Sequence, residues 1–156
     1  MHSAKKVGAA TPKPFRTALA KRKEHTMEIN ERLSDAEIDI MKVLWKSDDA
    51  LSAREIVKTL SENRAWKTQT AHVLLGRLEQ KGFIFADRSG YSHKFSAVVS
   101  EEEYLVSESV QLCDKVGKSV PSMVATLIAS HGLSANDITE LSEILENQRR
   151  ELGKRG

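Results

Sequence analysis

WKTQTAHVLLGRLEQKGFIFADRSGYSHKFS, residues 66–96, is the stretch on which the fold turns. Its first half places Ala71, Leu74, Leu75 and Leu78 at helical spacing, a stripe suited to a core. The opposite side of the same helix carries Lys67, Gln69, Thr70, His72, Val73 and Gly76. Lys81-Gly82 ends it, with Gly82 at a C′-type position. Phe83-Ile84-Phe85 and Tyr91 to Phe95 then read as two short strands, joined by a tight turn at Asp87-Arg88-Ser89-Gly90 with a basic tip. A helix followed by a hairpin is the back half of a winged helix-turn-helix.

Upstream, two helices precede the stretch. Ser34 with Glu37 forms a capping box, and Ile38, Met41, Val43, Leu44 and Trp45 continue an apolar face to about Lys46. Ser47-Asp48-Asp49 breaks the pattern, and Ala50-Leu51 suits a short strand. Ser52 with Glu55 caps a second helix, expected from Ala53 to about Asn63 with Ile56, Val57 and Leu60 inward.

Downstream the pattern is purely helical. Ser100 with Glu103 opens a helix to about Val116, marked by Tyr104, Leu105, Glu108, Leu112 and Val116. Pro121 suits the first turn of the next helix, which carries Met123, Val124, Leu127 and Ile128 and ends at His131-Gly132. Ser134 and Asp137 open the last, with Ile138, Leu141, Ile144, Leu145 and Leu152 on one face. The expected class is mainly α, an α+β winged helix-turn-helix of three helices plus a C-terminal helical region. The divisions are 1–32 as a disordered basic tail, 33–99 as the winged domain and 100–156 as the helical part.

Charge is uneven along the 156 residues. The net +2 is unevenly placed: residues 1–26 carry +6 and residues 27–156 sum to −4, with +4 in residues 64–94 and −7 in residues 100–147. A basic middle beside an acidic end points to one part facing a polyanion. Residues 1–26 read as an unstructured arm, and three accounts of it stand: a nucleic-acid-contacting tail, a transit-like segment, or sequence upstream of a true start at Met27. No apolar run approaches the roughly 18 residues needed to span a bilayer. The lone Cys113 forbids an internal disulfide and a multi-cysteine metal site, and fits a reducing cytoplasm.

An α-helix fits the DNA major groove, where each base pair shows a distinct pattern of donors and acceptors. Lys67, Thr68, Gln69 and Thr70 offer such groups at the first turn, where backbone amides also favour phosphate. Gln69 suits adenine; Thr70 or Val73 suits a thymine methyl. Arg77 and Lys81 on the helix, and Arg88 and Lys94 on the wing, are candidate phosphate contacts. Each has a plainer reading. Arg77 is also a candidate for a local salt bridge, and His72 for an ordinary surface histidine. Trp66 either stacks on the sugar-phosphate backbone or, the reading favoured here, staples the turn to the preceding helix. Tyr91 and Phe95 are expected to pack inward. In the C-terminal helices, Leu105, Leu112, Val116, Leu127, Ile138, Leu141, Ile144 and Leu145 form stripes too long for one chain to cover; a homodimer buries them, the alternative being an intramolecular three-helix bundle.

Catalysis finds no support. His25, His72, His93 and His131 lack metal-ligand spacing, and no phosphate-cradling glycine loop or nucleophile elbow appears. Neither a cofactor nor a metal is expected. Cys113, on a helix between Leu112 and Asp114, reads as buried rather than reactive.

Taken together, LSDAEIDIMKVLW (33–45), LSAREIVKTL (51–60), LLGRLEQKGFI (74–84) and SGYSHKFSA (89–97) resemble the penicillinase-repressor family, the BlaI/MecI/CopY type of bacterial repressors. The resemblance covers about residues 33–152. It implies a homodimer with two winged helices, bound to a palindromic operator in the cytoplasm at the nucleoid and repressing until induced. In antibiotic-responsive members a membrane-bound metalloprotease sensor triggers cleavage at an Asn-Phe bond; the matching positions here are Thr126-Leu127, a departure from that pair. The cysteine-rich metal hook of copper-responsive members has no counterpart. The competing class is a winged-helix protein-interaction module, with the acidic helices holding a partner and the wing off DNA.

Overall fold

The computed structural model describes residues 31–62 and 65–156. The basic arm of residues 1–30 and the expected helix end at Asn63 lie outside the described residues. The chain divides into two compact units at Ser109/Val110.

In the first unit, α1 (Asp35–Lys46), α2 (Ala53–Leu60) and α3 (Thr68–Gln80) precede a hairpin of β1 (Ile84–Asp87) and β2 (Lys94–Ala97). The start of α4 (Glu101–Val116) follows. Ser34/Glu37 and Ser52/Glu55 form complete capping boxes, so each helix starts where its sequence signal lies. Ser100 and Glu103 exchange the same pair of bonds at the head of α4. Ile40, Met41, Leu44, Ala53, Ile56, Leu74, Leu75, Leu78, Phe83, Ile84 and Phe95 make one core. The α3 stripe read from spacing is buried at all four positions, Ala71 included.

The end of α3 sets the wing. Gly82 takes φ 78°, its amide donates to the Glu79 carbonyl at 3.0 Å, and the Phe83 amide donates to the Leu78 carbonyl at 2.9 Å. These two bonds make a Schellman motif, which needs a residue at positive φ and so favours glycine. Phe83 is thereby part of the helix stop rather than of the strand. Its carbonyl instead accepts from Val98 and Val99, closing the base of the wing. Strand β1 therefore begins one residue later than Phe83.

Strand β2 is Lys94–Ala97, not Tyr91 to Phe95, paired as Ile84↔Ala97, Phe85↔Ser96, Ala86↔Phe95 and Asp87↔Lys94. Phe95 fixes this register. It is buried, and it also bridges Leu51 through bonds of 2.9 and 2.7 Å, so the Ala50-Leu51 strand is a single bridging residue. The expected four-residue turn becomes a loop over 88–93. Helix α2 stops at Leu60 with Ser61 as its C-cap, short of the expected end.

An aromatic cluster ties α4 to this core: Tyr104 lies 5.9 Å from Trp45 and 5.8 Å from Phe83, centroid to centroid. Trp45 Nε1 donates to the Val99 carbonyl at 2.8 Å.

The second unit holds the rest of α4, then α5 (Val120–His131) and α6 (Ala135–Lys154). Ser119 caps α5 with Pro121 in its first turn, Gly132 closes it in the left-handed conformation, and Ser134/Asp137 form the capping box of α6. Cys113 is buried, whereas neither α5 nor α6 contains a buried residue. No helix among the described residues is long and apolar enough to cross a membrane.

Candidate nucleic-acid interface

Burying one stripe of α3 leaves the opposite face outward. Lys67, Thr68, Gln69, Thr70, His72, Val73, Gly76 and Arg77 are all exposed. Val73, an apolar residue, is 53% exposed, which suits contact with a partner better than contact with water. At Gly76 nothing lies within 4 Å of where a Cβ would sit, so that face is open.

The helix also begins differently from its neighbours. Lys67 occupies the N-cap with no side-chain cap bond, and the first turn has no acid. The first backbone bond runs from the Ala71 amide to the Lys67 carbonyl, so the amides of Thr68, Gln69 and Thr70 have no partner within the helix. Those amides, with Lys67 beside them, suit an anion such as a phosphate oxygen.

The cations fall into two groups. Lys67 and Arg77 are exposed and form no ion pair among the described residues. Lys81, Arg88 and Lys94 are each held by an acid. Lys81 Nζ donates to Glu37 Oε2 at 2.9 Å and to the Arg32 carbonyl at 3.1 Å. The Glu37 side chain is only 2% exposed. Burial pushes the Glu37 pKa up, but the bonds from Lys81 and Ser34 outweigh it and hold the carboxyl below its ordinary value. Lys81 thus locks the end of α3 to the head of α1.

Arg88 grips Glu79 of α3 through both terminal guanidinium nitrogens, at 2.7 and 2.6 Å. Lys94 Nζ donates to Glu55 Oε2 of α2 at 2.7 Å. These pairs moor the two legs of the wing to two different helices. Neither was legible locally, because the partners lie 9 and 39 residues apart in sequence.

Trp66 is half-buried and packs against the core cluster. Phe95 packs inward as expected. Tyr91 does not: it is fully exposed, because the register of β2 leaves it in the 88–93 loop. The sequence reading missed it as a surface residue, and its neighbours Ser89, Gly90 and Ser92 were the available signal. Asp87 accepts from the Ser89 amide at 2.9 Å, turning the chain into that loop.

The fold and this surface define a winged helix-turn-helix, the class that reads DNA with a helix in a groove. Residues 33–147 match the family model described as penicillinase repressor, and the chain belongs to that family. It is a family of DNA-binding transcriptional repressors rather than of enzymes. The chain is similar to the penicillinase repressor of Bacillus licheniformis, 29% identical over 119 residues, covering 76% of this chain and 92% of that protein. It is also similar to the methicillin resistance regulatory protein MecI of Staphylococcus aureus, 28% identical over 117 residues, covering 74% and 94%. Among solved structures, the DNA-binding domain of the repressor BlaI is 32% identical with a TM-score of 0.42, covering 47% of this chain and 88% of that one. The monomeric form of Bacillus licheniformis BlaI, in complex with the blaP half-operator, is 31% identical with a TM-score of 0.41, covering 47% and 89%.

Proposed function

We propose that the chain represses transcription in the bacterial cytoplasm as a homodimer on a palindromic operator, and that an inducing signal relieves it. The observation that carries the DNA-reading half is the outward face of α3. Polar and basic groups, an uncapped helix start and an exposed Val73 share it. Lys67 and the first-turn amides hold phosphate. Gln69, Thr70, His72 and Val73 meet base edges, Arg77 meets backbone, and the wing lies along the duplex.

Support for the dimer lies in the second unit. Leu112, Val116, Leu127, Ile138, Ile144 and Leu145 are each at least half exposed, and Leu141 is half-buried. Leu105 on α4 is 63% exposed. Apolar stripes left open on three helices call for a second copy rather than a self-sufficient bundle. Two-fold symmetry then spaces two recognition helices about 34 Å, or a multiple, along the DNA.

For induction, the Thr126–Leu127 bond lies inside α5, where Thr126 Oγ1 donates to the Ser122 carbonyl at 2.9 Å. A membrane metalloprotease sensor system that cut there would sever α6 from the reading domain and dissolve the dimer.

The test is genome-wide footprinting followed by anisotropy titration of the operator found and of a scrambled duplex. Preferential binding to a dyad, weakening steeply with salt as counterions are released, is expected. Equal affinity for both duplexes refutes the reading and leaves the protein-interaction module.

A further inference from the structure

Two wing cations are held by acids of the domain that carries the reading helix. Arg88 donates to both oxygens of Glu79 at 2.7 and 2.6 Å, and Lys94 donates to Glu55 at 2.7 Å. Glu55 Oε2 also accepts from the Ser52 amide and hydroxyl, each at 2.7 Å, so its carboxylate is fixed in place by the cap of α2. Both acids stay ionised at neutral pH. Lys94 and then Ser52 hold Glu55 at about 2, and the Arg88 guanidinium holds Glu79 below its ordinary value. Glu79 follows His72 by two helical turns, so it borders the outward face of α3. A bare carboxylate there would repel phosphate, and Arg88 masks it. The same pairing masks Arg88 from phosphate.

We propose that Glu79 and Glu55 are specificity-determining residues that never touch DNA: they keep Arg88 and Lys94 engaged until a correctly seated operator presents phosphates that take the carboxylates' place. This inference rests on the operator-binding reading above. On non-cognate duplex the domain is held by Lys67, Arg77 and the α3 amides. On the operator, base contacts from α3 seat the wing against the backbone, and two further cations per subunit engage. Carboxylate and phosphate both make charge-assisted bonds to Arg and Lys, so the exchange is close to balanced and seating geometry decides it. Each pair also leaves at least one partner substantially exposed, so a phosphate has access.

The experiment measures how affinity of the full-length protein falls with salt, on the footprinted operator and on a scrambled duplex. Glu79→Gln and Glu55→Gln are compared with wild type; glutamine at 55 preserves the capping box, and circular dichroism melting checks folding. Wild type should show the steeper log–log slope on the operator. Each Gln variant should steepen the slope on the scrambled duplex by about 0.9 per freed cation and leave the operator slope unchanged. Arg88→Gln and Lys94→Gln should flatten the operator slope. Unchanged scrambled-duplex slopes in both Gln variants overturn the proposal. So does an equal loss of affinity on both duplexes at constant slope, which marks the pairs as wing supports only. If wild type itself does not distinguish the two duplexes, the repressor reading fails and takes this inference with it.

Discussion

Replacing Lys81 by methionine keeps the aliphatic stem and removes the charge that faces Glu37. The Glu37 side chain is 2% exposed and cannot turn to water in place. Removing one partner of a buried pair costs about 3–5 kcal/mol when the other charge is left without compensation. Here the cost is moderated, because Lys81 is 22% exposed and the Ser34 amide still donates to Glu37 at 2.8 Å. About 2–3 kcal/mol is expected at neutral pH. The sign with pH follows from the carboxyl. In the wild type its folded pKa lies below the ordinary value, so its stabilisation is present above the unfolded carboxylate range and is lost as pH falls through the folded value. In Lys81→Met the bond and charge from Lys81 are gone, burial, the largest influence, is opposed by Ser34 alone, and the carboxyl rises from its wild-type position. Protonating it then relieves the variant, so the gap between variant and wild type narrows as pH falls from 7 toward 4.5. Urea unfolding followed by tryptophan fluorescence reads the right part of the molecule, since both tryptophans, Trp45 and Trp66, lie in the first unit. A loss below about 0.5 kcal/mol at pH 7, the range of exposed pairs, or a gap that does not narrow at pH 4.5, refutes the structural role assigned to Lys81.

Three further outcomes are expected. Gln69→Ala changes base preference at one position per half-site, with discrimination there falling by about 1–3 kcal/mol; a substitution scan of the operator that shows unchanged preferences removes Gln69 from the reading set. Leu145→Glu, at a side chain 68% exposed in one chain, shifts the protein toward monomer in sedimentation equilibrium, and an unchanged mass excludes this stripe from the dimer contact. Gly82→Ala forces a Cβ into φ 78° and costs about 1–2 kcal/mol in the same fluorescence-detected unfolding; a neutral result means the Schellman turn has relaxed.

Much of the local architecture was legible because its causes are local. A Ser with an acid three residues on exchanges two bonds without help from elsewhere, so the heads of α1, α2, α4 and α6 fall where spacing puts them. Helical periodicity named the buried side of α3, because a single stripe can face a single core. Gly82 marked the stop through its tolerance of positive φ. The wing register was not legible: it depends on Phe95 meeting Leu51 across 44 residues, which places Tyr91 outside the strand.

The candidate surface divides in the same way. By itself the sequence determined which residues lie on the outward side of α3 and that the middle of the chain is basic, since periodicity and charge are properties of the string. Only tertiary structure decided what each cation does. Lys81, Arg88 and Lys94 meet Glu37, Glu79 and Glu55 across separations of 44, 9 and 39 residues. An ion pair depends on distance in space, and sequence spacing beyond a helical turn carries no such distance. Lys67 and Arg77 therefore stand open to a polyanion, while three equally basic residues are held by carboxylates of their own domain.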